Sequence, residues 1–233
     1  MTTTTTANLP FSPALIVNGS LAVPGGRDIA PAVNQLLRLP FVIKVATRDW
    51  HPQAHISFAT NHHRPAADSP PPQPFTSSTD VVHPSDASRS YTTTLWPVHC
   101  VAGTPGAQLV PELELELDGG DTIIIDKGRD PRVEMYSAFY DPFRLEDSGL
   151  AGLLRDRGVT HVYVVGLAAD YCVKATAEHA LQEGFDTCIV ADGTRPVAPD
   201  AWPSCLDGIV ASGVRVVDLD GDDVARVRAR ASS

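Results

Sequence analysis

The chain has 233 residues, of which 43% are hydrophobic and 20% are charged, as expected of one globular domain with its own core. Acidic residues outnumber basic ones by 28 to 18, and the net charge of −10 argues against nucleic acids or anionic membranes as partners. No run of 18 apolar residues is present, so the sequence predicts no membrane span. Four cysteines without CxxC spacing favour a reducing, intracellular setting, with the cytoplasm first and the nucleus or peroxisome left open.

The chain order predicts a single domain between two short tails. Residues 1–12 open with a threonine run that lacks the features of a secretory signal, and we expect a disordered tail there. The domain then covers residues 13–220, and residues 221–233 are expected to form a C-terminal tail. Within the domain, apolar runs alternate with amphipathic patterns. The predicted strands are residues 14–17, 41–47, 122–125, 161–165, 187–192 and 214–218, and the predicted helices are residues 28–39, 150–157, 171–183 and 200–211.

Strands separated by helices, each with nearly continuous apolar character, predict a mainly parallel sheet covered on both faces. The expected fold class is therefore a three-layer α/β/α domain with right-handed crossovers. Residues 52–95 break this alternation, and residues 64–81 contain a proline-rich run that we expect to form a long surface loop.

Reactive side chains follow three of the predicted strands. Asp49 and His51 follow the second strand, Lys127 the third and Cys172 the fourth. Ligand sites of open parallel sheets lie at the carboxyl ends of the strands, so these side chains are expected to meet at one edge.

Cys172 is the sharpest candidate for a nucleophile. It is expected in the first turn of a helix, where the dipole and the backbone N–H groups favour a thiolate and can hold an oxyanion. A desolvated Lys127 nearby would stabilise either charge. The alternatives are a buried structural cysteine and an ordinary lysine that reaches water from a strand end.

Asp49 and His51 also offer the start of a metal site. Residues two apart on an extended segment point to the same side, so a carboxylate and an imidazole face one space there. His99 could complete a ligand set for a divalent metal, and His55 is a further candidate. The alternative is a capping aspartate among surface histidines.

Six segments together resemble one enzyme family. The nicotinamidases of the isochorismatase-like cysteine hydrolase superfamily, particularly those of fungal type, carry similar motifs in the same order. The segments are TRDWHP (47–52), HISFA (55–59), LWPVHCV (95–101), DKG (126–128), YSAF (136–139) and VGLAADYCVKATA (165–177).

The resemblance implies an isochorismatase-like hydrolase fold and the hydrolysis of nicotinamide to nicotinate and ammonia in NAD salvage. It makes Cys172 the nucleophile, Lys127 the catalytic lysine, and the backbone N–H groups of Ala168 and Cys172 the oxyanion hole. It also implies a cis peptide between Leu167 and Ala168. A homo-oligomer is compatible with it.

The resemblance further implies a bound divalent metal that orients the pyridine ring. The metal ligands would be Asp49, His51 and His99, with zinc as the first choice and iron or manganese as alternatives. His55 would be either an additional ligand or a residue that supports the ligands from behind. The substrate pocket would include Trp96, Tyr136 and Leu167.

The chain departs from the family pattern after its first predicted strand. The family places an acid/base aspartate there, in a segment D-x-Q-x-D-F that also supplies an aromatic ring for the pocket. In this chain about ten residues of that segment are absent. They would lie at the strand-end edge, where the sites of such sheets are built. Asp28 is expected to cap a helix, and Asp126 to face away from Lys127. Only Asp170, two residues before Cys172, is left as a surrogate.

Two explanations of the gap remain open, a splicing or gene-model artefact and a real but catalytically impaired chain. Loss of general acid/base catalysis costs about 10²–10⁴ in rate, so the chain as written is expected to be weakly active. The alternative functions are a nicotinamide-binding pseudoenzyme and another isochorismatase-like amidohydrolase.

Overall fold

The computed structural model describes residues 3–5, 19–62, 70–116 and 121–232. A six-stranded sheet in the order β5-β2-β1-β6-β7-β8 forms its centre, and all of its strand pairs are parallel. The six strands are β1 (Thr3–Thr5), β2 (Lys44–Asp49), β5 (Thr122–Lys127), β6 (His161–Leu167), β7 (Asp186–Arg195) and β8 (Arg215–Val217).

Helices cover both faces of this sheet. They are α1 (Ala30–Leu37), α2 (Leu150–Asp156), α3 (Lys174–Gln182), α4 (Trp202–Ala211) and α5 (Asp222–Arg228). Apolar residues of α1 and α5 belong to one core cluster, and apolar residues of α2, α3 and α4 belong to another. The predicted three-layer α/β/α class is confirmed.

Neighbouring residues of one strand contribute to different cores. Val164 packs with α2 and α3, whereas Val165 packs with α1, because successive side chains of a strand point to opposite faces. Both valines are fully buried. A strand with two buried faces must be apolar almost throughout, and this requirement explains the run HVYVVGL of β6.

The start of α1 differs from the prediction. Asp28 does not cap it, because residues Gly26–Ile29 form a separate 3₁₀ turn and α1 begins at Ala30. Pro31 explains this start, since a proline ring has the backbone angle of a first helical turn and lacks only an N–H that would be unpaired there.

The two predicted tails contain regular structure. Thr3–Thr5 pairs with both β2 and β6, so the prediction of disorder is wrong for these three residues; threonine is β-branched and favours extended backbone. The strand predicted at 14–17 lies outside the described residues. The C-terminal segment forms α5, whose Val224 and Val227 are buried in the core, so it is not a loose tail.

The proline-rich region ends in a hairpin that the sequence analysis missed. β3 (Ser78–His83) and β4 (Asp86–Thr94) pair antiparallel outside the main sheet, so the predicted loop over 64–81 is wrong at its last four residues. Residues 63–69 lie outside the described residues. None of the helices in the described ranges has the length and apolar character needed to cross a membrane.

Candidate active site

The last residues of β2 and β5 form a buried ion pair at the sheet edge. Asp49 and Lys127 are register partners, and their carboxylate and ammonium groups lie 2.5 Å apart. Their side chains are only 7% and 1% exposed. The preceding partners, Arg48 and Asp126, form a second ion pair whose side chains are more exposed, since alternate residues point to opposite faces.

Cys172 reaches the same place from β6. The chain leaves β6 through a cis peptide between Leu167 and Ala168, and residues Ala169–Val173 then form a π-helical turn that leads into α3. The Cys172 sulfur lies 3.6 Å from the Lys127 ammonium nitrogen. Nucleophile candidate and lysine candidate are therefore in direct contact, as the strand-end argument predicts.

Burial and charge act in opposite directions on this contact. Burial raises the pKa of the Cys172 thiol to about 12, although the Lys127 charge opposes the shift. Burial alone would lower the pKa of Lys127, but Asp49 and Cys172 outweigh it, and the pKa is raised. At neutral pH the site thus holds an ammonium ion beside a thiol that must still lose its proton.

Three histidine rings gather on the other side of Asp49. The ring centroid of His51 lies 4.0 Å from that of His55 and 5.0 Å from that of His99. Ligand atoms of Asp49, His99 and Cys100 all lie within 4.8 Å of one another. Of the predicted ligands, Asp49 and His99 belong to this group, and the Cys100 sulfur is its third member. The His51 ring lies beside that of His99 but is not part of the group, so its role as a ligand stays a prediction.

Each of these rings uses its Nδ1 atom within the protein. His51 bonds to the Gly128 carbonyl and His99 to the Pro97 carbonyl, both at 2.8 Å, and His55 to the Ser57 hydroxyl at the same distance. The Nε2 atom is the ring nitrogen that remains for a ligand. In His55 this buried atom has no hydrogen-bond partner within the described part of the chain.

Burial keeps all three rings neutral. It lowers the pKa of His51 well below its usual value, lowers that of His55 to about 2, and also lowers that of His99. Neutral imidazoles beside a carboxylate are a suitable ligand set for a divalent metal. His55 differs from the other two, because its Nδ1 also accepts the backbone N–H of Ser57 at 3.3 Å, which favours the neutral form with the proton on Nε2.

A cleft of about 400 Å³, counted with its mouth, joins the thiol to the metal-ligand group. Trp96, Tyr136 and Tyr171 form an aromatic wall, in which the Trp96 indole donates to the Tyr136 hydroxyl at 2.9 Å. Leu167, which was also expected in the pocket, does not line it; its side chain is fully buried in the core.

Sequence reasoning missed four residues that line the cleft, Leu21, Glu134, Tyr171 and Val197. Glu134 is the one with chemical consequence: burial raises the pKa of its carboxyl to about 8, although Lys127 opposes the shift. It lies in a loop seven residues after Lys127, where no periodic pattern indicates which way a side chain points. Tyr171 was within reach of prediction, since it precedes Cys172.

Asp170 is not placed as a proton-transfer surrogate. Its two carboxylate oxygens accept the backbone N–H groups of Val197 and Ala198, each at 2.9 Å, and it does not line the cleft. It therefore fixes the loop that carries Val197. The assignment of the Ala168 and Cys172 N–H groups to an oxyanion hole stays a prediction.

Comparisons with known proteins give the site a family context. The model of the isochorismatase domain matches residues 45–221. The chain is 38% identical to the nicotinamidase of Acinetobacter baylyi over 202 residues, which covers 84% of each protein.

Two solved structures are similar to the chain in both fold and sequence. The yeast nicotinamidase bound to the inhibitor nicotinaldehyde has a TM-score of 0.82 at 33% identity and covers 94% of this chain and all of its own. The pyrazinamidase of Pyrococcus horikoshii in complex with zinc has a TM-score of 0.69 at 32% identity, with coverage of 92% and 98%.

The neutral state of His55 predicts a pH-dependent contribution to stability. Unfolding exposes a ring that binds a proton below about pH 6.5, whereas the folded ring stays neutral, so this contribution is lost as the pH falls. In metal-free protein, the stability advantage of wild type over His55→Gln should shrink by about 1 kcal/mol between pH 7.5 and 5.5.

Urea unfolding at both pH values, with a chelator present, measures this difference. The comparison with a variant is needed because Glu134, whose pKa is raised, makes the folded protein more stable as the pH falls. This effect is the same in wild type and in His55→Gln, so it cancels in the difference between their free energies of unfolding. An equal difference at both pH values would show that the His55 ring is hydrated.

Asp170→Asn should destabilise the protein by about 1–3 kcal/mol, since an amide offers one acceptor where two backbone N–H groups need partners. The matched control is Asp207→Asn on an exposed turn of α4, which should be nearly neutral. Denaturant unfolding of the two variants decides the point. If Asp170→Asn were as stable as wild type, the anchoring role would be wrong.

Proposed function

The chain belongs to the isochorismatase family, and we propose that it is a nicotinamidase, which hydrolyses nicotinamide to nicotinate and ammonia. The contact of 3.6 Å between the Cys172 sulfur and the Lys127 ammonium, at an aromatic cleft beside a cluster of metal ligands, is the observation that carries the proposal. The identities of 38% and 33% with two nicotinamidases support it.

The cleft suits a small, flat aromatic amide. Three aromatic side chains, those of Trp96, Tyr136 and Tyr171, supply flat apolar walls for a pyridine ring. The Tyr136 hydroxyl already hydrogen-bonds to Trp96 and Thr93. Tyr136 would therefore contact the pyridine ring through its aromatic ring rather than through a hydrogen bond.

Asp49, His51 and His99 would hold a divalent metal, with His55 beside them. When bound, the metal supplies a Lewis acid that holds the pyridine nitrogen and so orients the carboxamide. We propose zinc, because neutral imidazoles with a carboxylate are a common zinc ligand set and the related pyrazinamidase is in complex with zinc. Iron or manganese would accept the same ligands.

The covalent steps belong to Cys172 and Lys127. The thiolate forms a bond to the carboxamide carbon, the carbon–nitrogen bond then breaks, and ammonia leaves with one added proton. Water cleaves the resulting thioester, which releases nicotinate and returns the thiol. Lys127 stabilises the thiolate, and the N–H groups of Ala168 and Cys172 would hold the oxyanion.

Proton transfer is the weak step in this chain. The thiol, with a pKa of about 12, needs a base, and the leaving nitrogen needs an acid. Residues 1–27 contain no Asp or Glu, so the acid/base carboxylate that the family places after its first strand has no counterpart there. Among the described residues that line the cleft, only Asp49 and Glu134 carry carboxyl groups.

That gap is the observation behind one alternative, a protein that binds nicotinamide without turning it over, but the nicotinamidase relatives do not favour it. Another amidase activity is less well supported, since the N-carbamoylsarcosine amidase of Thermoplasma acidophilum shares the fold at only 18% identity. The gathered carboxylate and imidazoles favour a ligand with a metal-binding ring nitrogen.

Cys172→Ala should abolish ammonia release from nicotinamide, because no other thiol lines the cleft within the described residues. Nicotinamide should still raise the melting temperature of this variant when zinc is present, since binding does not need the thiol. A coupled ammonia assay and a thermal shift measure the two effects. Full activity of Cys172→Ala would refute the mechanism, and stabilisation without ammonia release by wild type would favour the binding protein.

Small carboxylic acids should accelerate the wild-type chain. Formate can carry protons where the chain supplies no aspartate, and loss of such catalysis costs about 10²–10⁴ in rate. We expect kcat to rise with formate concentration and not with chloride at equal ionic strength. Cys172→Ala serves as the control and should not respond. A chain that turns over fast without formate would instead point to Glu134 as the proton carrier.

A further inference from the structure

We propose that Gly128 is a positioning residue for the metal ligand His51, and that only a glycine can serve at this position. The inference rests on the metal site of the proposed function and adds a residue to it. Gly128 immediately follows Lys127, at the point where β5 ends and the chain crosses over the His51 ring.

The carbonyl group of Gly128 fixes the ring chemically. It lies 2.8 Å from Nδ1 of His51 and can only accept, so Nδ1 carries the proton. The neutral ring then presents Nε2 with its lone pair, which is the form that binds a metal. Such hydrogen bonds behind a ligand typically contribute about 10–100-fold to metal affinity.

Gly128 also matters because its α-carbon carries no Cβ atom. A Cβ atom there would lie 2.5 Å from Cε1 of His51 and 2.7 Å from Nδ1, closer than real Cβ contacts allow. The backbone of Gly128 also has a φ of +66°, in the left-handed region that favours glycine. A side chain at this position would therefore have to push the imidazole aside.

The His51 imidazole cannot move away from such a side chain. Its backbone is held on both sides, since His51 N–H donates to Cys100 and the His51 carbonyl accepts from Ala102, at 3.0 and 2.8 Å. The ring itself lies between His55, His99 and Phe58, with centroids 4.0, 5.0 and 5.8 Å away. A displaced ring would lose its hydrogen bond and its alignment with His99 together.

The test compares Gly128→Ala with Gly149→Ala. Gly149 has a similar φ of +75°, but nothing lies within 4 Å of its added Cβ, so this control carries the backbone strain without the contact. Zinc affinity is measured by competition with a chromophoric chelator. We expect Gly128→Ala to bind zinc about 10–100-fold more weakly than wild type and Gly149→Ala to bind it like wild type.

A double-mutant cycle with His51→Ala covers the case in which Gly128→Ala folds poorly. If the ring contact is responsible, the destabilisation by Gly128→Ala beyond that by Gly149→Ala should disappear once the ring is removed. Cobalt-substituted protein adds a spectroscopic signature, since the visible bands should change only in Gly128→Ala.

The outcomes separate this inference from the proposed function. Equal zinc affinity of wild type and Gly128→Ala, or an equal loss in Gly149→Ala, would overturn the role of Gly128. Persistence of the extra destabilisation in the His51→Ala background would also overturn it. Failure of the wild-type chain to bind zinc would instead contradict the metal site itself.

Discussion

The buried ion pair between Asp49 and Lys127 is the interaction on which the site depends. It joins two parallel strands at their carboxyl ends, and it holds an ammonium group that is 1% exposed against a carboxylate that is 7% exposed. A lone buried charge would be costly, so neither group could stay charged there without the other. Because the pair is fixed by strand register, the sheet itself delivers the positive charge that Cys172 needs.

The ion pair also links the two halves of the cleft. Lys127 contacts the sulfur of Cys172 on one side, and Asp49 belongs to the metal-ligand group on the other. The thiol and the group of possible metal ligands therefore share one rigid base. Trp96, Tyr136 and Val197 are contributed by loops, and Tyr171 by the π-helical turn that carries Cys172. Such a division is typical of α/β enzymes, in which strands carry the reactive groups and loops shape the pocket.

Much of this arrangement could be predicted from the sequence, because strand ends in a parallel sheet must share an edge. That rule predicts the meeting of Asp49, Lys127 and Cys172. It could not find Glu134, which lies in a loop without periodicity. The family resemblance placed Leu167 in the pocket, but its side chain packs in the core rather than in the cleft. The orientation of the Asp170 side chain could not be predicted either, because it is fixed by hydrogen bonds to Val197 and Ala198, which lie far away in the sequence.

The two adjacent ion pairs of β2 and β5 bear on folding as well. The charges run positive then negative in Arg48-Asp49, and negative then positive in Asp126-Lys127. A shift of one residue in one direction would set Asp49 against Asp126, and a shift in the other would set Arg48 against Lys127. Either misaligned pairing would bring like charges together, so this short charge pattern selects against the wrong alignments while the sheet assembles.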